Sequence, residues 1–255
     1  QQRTYMLATS STTSDATYHR GHALSIPGMS LSHDGGQILF TTTDEDVTLR
    51  HGLVTGLVGS NGCGKTSLAR VLASGRLPGF PSGLVVEYLA ASDDEELLLL
   101  EADGECDDKG EGGVSGGELS PDISLSYKPI EYIQSKVRRR SEQLIYEITT
   151  LEEELERGSD GEDLERLSER LSDLYDLQET IHERVERELH RSVSELGLDR
   201  HENKPLICLS SGWRYKCRLA AAFLVHPDTL IIDEPSFLDD DSTQWFVDQT
   251  KRAAE

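Results

Sequence analysis

Read for its apolar and polar positions, this 255-residue chain divides into five zones. Residues 1–20 are polar, rich in Ser and Thr and without period, so a disordered tail is expected there. Residues 21–91 alternate short apolar stretches with turn residues. Within them the run 53–58 (LVTGLV) reads as a buried strand and 66–73 as the opening of a helix. Residues 92–129 are acidic and glycine-rich, and a stretch such as EADGECDDKGEGG is expected to be a disordered insertion. Residues 130–196 carry helical periodicity, and 197–255 return to helix, strand and turn, with the apolar run Leu230, Ile231 and Ile232 reading as a second buried strand.

The helical zone is the most regular. Ile133, Val137, Leu144, Ile148, Leu151 and Leu155 recur at steps of three and four residues and their sums, and the pattern breaks at Arg157, Gly158, Ser159, Asp160 and Gly161. A second series follows with Leu164, Leu167, Leu171, Leu174, Ile181, Val185 and Leu189. Two amphipathic helices joined by a short glycine-containing turn are expected to fold back as an antiparallel hairpin. The narrow apolar stripe, with Glu and Arg crowding the outer face, predicts a protruding hairpin rather than two ordinary core helices.

Composition changes this picture in three respects. The apolar fraction of 36% is low for a packed domain, which fits a chain part of whose length is not core. The net charge of −22 opposes general attraction to nucleic acid, and the charge is uneven: residues 92–122 hold twelve acids against the single Lys109. In the hairpin only Lys136, Arg138, Arg139 and Arg140 form a basic cluster, which reads as a solvated helix face. Cys63, Cys106, Cys208 and Cys217 lie far apart without CxxC pairing, which argues against zinc and against a disulfide framework and fits a reducing, cytoplasmic compartment. No apolar run approaches the roughly 20 residues that span a bilayer, so no membrane association is expected. No secretory signal is visible, and a chain that begins at Gln1 is expected to be a fragment.

Chemistry is concentrated at three places. Gly59, Ser60, Asn61, Gly62, Cys63, Gly64, Lys65 and Thr66 match G-x-x-x-x-G-K-[ST], with Ser67 next in line. Glycines let backbone N–H groups turn inward around phosphate oxygens, and the following helix adds the partial positive charge of its N-terminus. Lys65 is expected to reach the β- and γ-phosphates, and Thr66 to ligate Mg²⁺. At the end of the second apolar run stand Asp233 and Glu234, which a strand would deliver to the same sheet edge as the phosphate loop. Asp233 is expected to hold Mg²⁺ through water, and Glu234 to orient or deprotonate an attacking water. Leu209, Ser210, Ser211, Gly212 and Trp213 precede an apolar helix whose N-terminus makes Ser210–Gly212 an anion site; the plainer alternative is a serine N-cap.

That third stretch resembles the LSGGQ-type signature of ATP-binding cassette proteins. The implied fold is α/β, a P-loop NTPase nucleotide-binding domain with an antiparallel β subdomain, a helical subdomain and an inserted α-helical hairpin. The resemblance implies that Ser210, Ser211 and Gly212 meet ATP held by an opposing cassette, so that ATP hydrolysis needs a second cassette. Val114, Ser115, Gly116, Gly117 and Glu118 look closer to the signature consensus, but they lie in the acidic insertion and Pro121 follows instead of an apolar helix. The Trp in LSSGW, the hairpin and the lack of membrane segments resemble the ABC-F family, through GQILF, GLVGSNGCGKTSLARVLA, LSDLYDLQETI, LSSGWRYKCRLAAAFL and HPDTLIIDEPSFLD. The chain looks like the first cassette of such a protein, whose hairpin, the arm, contacts the ribosome in relatives.

Four departures stand against the family pattern. No Gln occurs between Gln37 and Gln134, so the Q-loop glutamine expected near residues 88–91 is missing. Ser211 replaces the second Gly of the signature. The D-loop reads SFLDD, one residue short, which makes Asp239 its aspartate. No switch histidine appears before Glu255, and His33 and Phe40 are the candidates for stacking on adenine. The missing Gln and altered D-loop motivate a second reading, a non-hydrolysing ATP-dependent scaffold. A chromosome-maintenance or DNA-repair cassette is the third, opposed by the short, acidic hairpin without a CxxC hook.

Overall fold

The computed structural model describes residues 5–9, 24–26, 29–33, 38–41, 47–50, 52–74, 84–90, 125–157, 162–235 and 238–254. Most of the acidic insertion, the motif at 114–118, the turn at 158–161 and two D-loop residues, Ser236 and Phe237, lie outside these. So do the side chains of His33 and Phe40. The chain forms two compact units: residues 1–88, 227–233 and 247–255, and residues 89–226 and 234–246.

In the first unit, β1 (Tyr5–Thr9), β3 (Met29–His33) and β4 (Ile38–Thr41) form an antiparallel sheet in the order β1-β3-β4, with Leu7 opposite Leu31 and Leu31 opposite Phe40. The register shifts between Leu31 and Ser32, one extra residue on a strand being the usual way to bend it. Tyr5–Thr9 falls inside the span expected to be a disordered tail, and for these five residues that expectation is corrected. YMLAT has no Gly, Pro or charge, and as a strand it satisfies the backbone donors and acceptors along one edge of β3. A second antiparallel pair joins β2 (Leu24–Ile26) to β5 (Val47–Leu49).

The same unit holds α1 (Lys65–Ala73), β7 (Thr229–Ile232) and all but the last residue of β6 (Val86–Leu89), with β6 and β7 paired as a two-stranded sheet. Asp228 fixes the entry to that pair by accepting the Val85 N–H at 3.0 Å, while the Thr229 N–H donates to the Val85 carbonyl at 3.2 Å. The expected strand over 53–58 is not formed. Leu53, Val54, Leu57 and Val58 are 52–93% exposed, and no described strand pairs with them. An apolar run becomes a buried strand only when neighbours take up its backbone groups and cover its faces. The residues of β7 are likewise half-buried rather than fully buried.

The second unit is helical. α2 (Pro129–Glu156) starts with Pro129 at its first turn, where a missing N–H costs nothing, and Glu131 accepts the Lys128 N–H at 3.0 Å to close a capping box. α3 (Glu162–Glu195) packs against it, with Arg170 of α3 facing Glu147 of α2 at 3.7 Å. The periodic residues Ile133, Val137, Leu144 and Ile148 are buried, as are Leu174, Ile181 and Leu189. Leu151 and Leu155 are half-buried and Leu164 is exposed, so burial fades toward the join between the helices.

The basic cluster is largely engaged. Arg140 is buried, Lys136 lies 5.7 Å from the Tyr132 ring centroid, and Arg138 faces Glu142 at 3.8 Å.

At the centre lies α4 (Ser211–Leu224), packed on both α2 and α3 and buried on nearly every side, from Tyr215 through Ala222. A helix covered all round forms the core of its unit. α5 (Asp240–Ala254) follows the D-loop, and Trp245 and Phe246 meet Phe223 of α4 edge to face.

Candidate nucleotide-binding site

The phosphate loop takes the conformation its glycines allow. Gly62 and Gly64 have φ of +81° and +99°, where side-chain-bearing residues are strained, and Gly64 is the cap from which α1 starts at Lys65. A Cβ on Gly59 would stand 2.6 Å from Cys63 Sγ, so a side chain there requires Cys63 to turn away or the loop to shift. Lys65 Nζ donates to the carbonyls of Gly59 and Ser60 at 2.9 and 3.1 Å, which draws the ammonium back over its own loop. Gly59 to Gly62 are exposed, and Cys63 to Ser67 half-buried.

An exposed loop with two left-handed glycines, a lysine drawn over it and a nine-residue helix behind it fits a polyphosphate. Among the described residues no group of three or more His, Cys, Asp or Glu is placed to hold a metal ion. A magnesium site built from Thr66, Asp233, water and phosphate oxygens needs no such group.

Asp233 and Glu234 follow directly on Ile232, the last residue of β7. The Asp233 carboxylate accepts a hydrogen bond from the Tyr88 hydroxyl of the neighbouring strand at 3.3 Å. Glu234 is exposed and has φ of +46°, a left-handed conformation that costs a non-glycine residue about 1–3 kcal/mol and clusters at working sites.

The signature precedes α4. Ser210 stands at the N-cap with extended backbone, yet its side chain makes no capping hydrogen bond, so the plain N-cap role does not use its hydroxyl. Arg214 Nη1 donates to the Leu209 carbonyl at 2.8 Å and steadies the entry to the loop. Trp213 packs edge-on to His201, with centroids 4.4 Å apart, and a Cβ on Gly197 would lie 3.7 Å from its ring.

Asp239 caps α5, accepting the Ser242 N–H on Oδ1 at 2.9 Å and the Thr243 N–H on its carbonyl at 2.8 Å. Its Oδ2 meets Lys216 Nζ of α4 at 2.7 Å. That ammonium, followed by the Ser242 contacts, holds the Asp239 carboxyl well below the usual carboxylate range.

The first unit therefore holds the phosphate loop and Asp233, and the second holds Glu234, the signature and Asp239. Sequence reasoning missed Tyr88, Lys216 and Arg218. One signal was available for the last two: Arg214, Lys216 and Arg218 alternate on one helix, and residues two apart cannot share a solvent-facing stripe.

The ABC transporter family model matches residues 42–237, and the chain belongs to that family of ATP-binding cassettes. The family defines a P-loop NTPase domain, here helix-rich. Similar proteins are of the F branch. ABC transporter F family member 4 of Arabidopsis thaliana is 28% identical over 84% of this chain and 26% of its own length. ATP-binding cassette sub-family F member 3 of Homo sapiens is 30% identical over 75% of this chain and 22% of its own. Protein GCN20 of Saccharomyces cerevisiae is 30% identical over 80% of this chain and 25% of its own. The chain thus spans about a quarter of the length of these relatives. No described helix is long and apolar enough to cross a membrane.

Proposed function

We propose that this chain is the first, arm-bearing cassette of an ABC-F-type ATPase that acts in the cytoplasm on the ribosome or in translational control. Residues 21–91 and 197–255 are its cassette core, 92–129 an acidic insertion and 130–196 the arm. The observation that carries the reading is the phosphate loop, with left-handed Gly62 and Gly64 and Lys65 turned over Gly59 and Ser60.

Gly59 to Ser67 hold the phosphates of ATP through backbone N–H groups, the Lys65 ammonium and the hydroxyls of Thr66 and Ser67. Thr66, and Asp233 through water, would hold Mg²⁺, whose charge would offset that of the phosphates when bound. Glu234 orients the attacking water and takes its proton. Ser210, Ser211 and Gly212 bind the γ-phosphate of ATP on a second cassette, from the same full-length protein or a dimer, and Asp239 lines the joint.

ATP turnover by the full-length protein and its Glu234→Gln variant tests the enzyme reading, since equal inactivity of both would defeat it. Co-sedimentation with ribosomes, with and without the Glu234→Gln trap, tests the partner. Failure of both forms to sediment removes the translation assignment. The absence of Gln from residues 88–91 favours one other reading, a scaffold that binds ATP without turning it over; nucleotide binding without turnover in the wild type would select it.

A further inference from the structure

α4 carries three cations at alternate positions, Arg214, Lys216 and Arg218. At about 100° per residue, Lys216 projects from the side of the helix opposite to Arg214 and Arg218. Lys216 and Arg218 are only 5% and 7% exposed. Each of the three reaches a different stretch of chain. Arg214 holds the Leu209 carbonyl at the entry to the signature, Arg218 Nη2 donates to the Ala90 carbonyl at 2.7 Å, and Lys216 holds Asp239 at 2.7 Å.

The lysine is the most telling of them. Its ammonium lies 4.5 Å from the centroid of the Trp213 ring on one side and against the Asp239 carboxylate on the other. Burying an ammonium is costly, and an apolar side chain of the same size would serve stability as well. What the charge adds is a fixed geometry, because a bond to one carboxylate and one ring face is satisfied in a single arrangement. Trp213 belongs to the first turn of α4 itself and packs edge-on to His201, so the ring that faces the ammonium is part of the signature helix. Asp239, in turn, holds the first amides of α5.

We infer that Lys216 is a positioning residue that couples the signature to the D-loop: held between the Trp213 ring and the Asp239 carboxylate, it makes the start of α5 follow the signature helix. This rests on the reading above, in which Ser210–Gly212 meets the nucleotide of an opposing cassette. Arg218 extends the linkage. Its grip on the Ala90 carbonyl ties α4 by the backbone to the segment where no glutamine side chain is present.

The test is amide hydrogen exchange on the full-length protein in three variants. Lys216→Met keeps the stem on Trp213 and removes the ammonium, and Lys216→Arg restores a cation. Asp239→Asn breaks the pair from its exposed side while leaving a residue that still caps a helix. Without nucleotide, Lys216→Met and Asp239→Asn are expected to raise exchange at Ser242 and Thr243 by about tenfold, as loss of one charge-assisted bond implies. Lys216→Arg is expected to return it to the wild-type rate. With Mg²⁺-ATP, wild type gains protection at Ser242 and Thr243, and Lys216→Met loses that gain while its affinity for a fluorescent ATP analogue stays within about twofold.

Unchanged exchange in both Lys216→Met and Asp239→Asn overturns the inference. So does full ATP-dependent protection in Lys216→Met. If wild type binds no nucleotide, the functional reading fails, and the nucleotide-free rates still decide the role of Lys216.

Discussion

The Tyr88 hydroxyl on β6 donates to Oδ2 of Asp233, 145 residues later and at the end of the paired strand β7, at 3.3 Å. The bond orients a carboxylate that on the proposed reading handles Mg²⁺. Tyr88→Phe removes it without changing the ring. Partners behind a metal-handling group typically contribute 10–100-fold in metal affinity. The half-saturating Mg²⁺ concentration for nucleotide binding is therefore expected to rise about tenfold. Urea denaturation should show a stability loss of about 1 kcal/mol.

Among the described residues Lys65 reaches only its own loop carbonyls, so its removal is expected to leave the fold intact. Lys65→Ala is expected to weaken ATP-analogue binding by about 10–100-fold, the loss of a charge-assisted contact to phosphate. The far-ultraviolet circular dichroism and melting temperature should stay at their wild-type values.

The Gly59–Cys63 contact makes a paired prediction. Gly59→Ala puts a methyl 2.6 Å from Cys63 Sγ, so either that side chain or the loop must shift, and nucleotide affinity should fall. Cys63→Ala empties that space, and the double variant should recover much of the affinity, a non-additive result that a cycle of binding constants measures. Gly62→Ala meets nothing in space, but its φ of +81° opposes a side chain, and a cost of about 1–2 kcal/mol is expected.

Burial pushes the Cys217 thiol up to about 12, while Cys208 is exposed. At pH 8 only about one Cys217 in ten thousand is a thiolate, so alkylation of the native protein should label Cys208 and spare Cys217 until the chain unfolds. Between about pH 9 and 12 the unfolded chain releases this proton and the folded chain keeps it, so stability should fall as pH rises through that window. Below about pH 7 both states hold the proton and Cys217 adds no pH dependence. Denaturant melts at pH 8, 9.5 and 10.5, compared with Cys217→Ala, measure it.

Features that depend only on neighbouring residues were legible from the chain. The turn before α1 was legible because its glycines and lysine lie within eight positions, and Gly62 and Gly64 take left-handed backbone with α1 starting at Lys65. The burial of Ile133, Val137, Leu144 and Ile148 was legible because the 3.6-residue period repeats along one helix face. The family was legible from the same local strings.

What tertiary structure decided is everything that needs two distant segments to meet. The run 53–58 has the composition of a buried strand, yet burial belongs to its neighbours, and Leu53, Val54, Leu57 and Val58 stay exposed. Tyr5–Thr9 reads as part of a polar tail, yet β3 offers it an edge. Lys216 and Asp239 are 23 residues apart, Arg218 and Ala90 are 128 apart, and no periodicity encodes either pair. Local geometry follows from the backbone and the spacing of side chains. Which cation finds which oxygen depends on how the chain crosses itself.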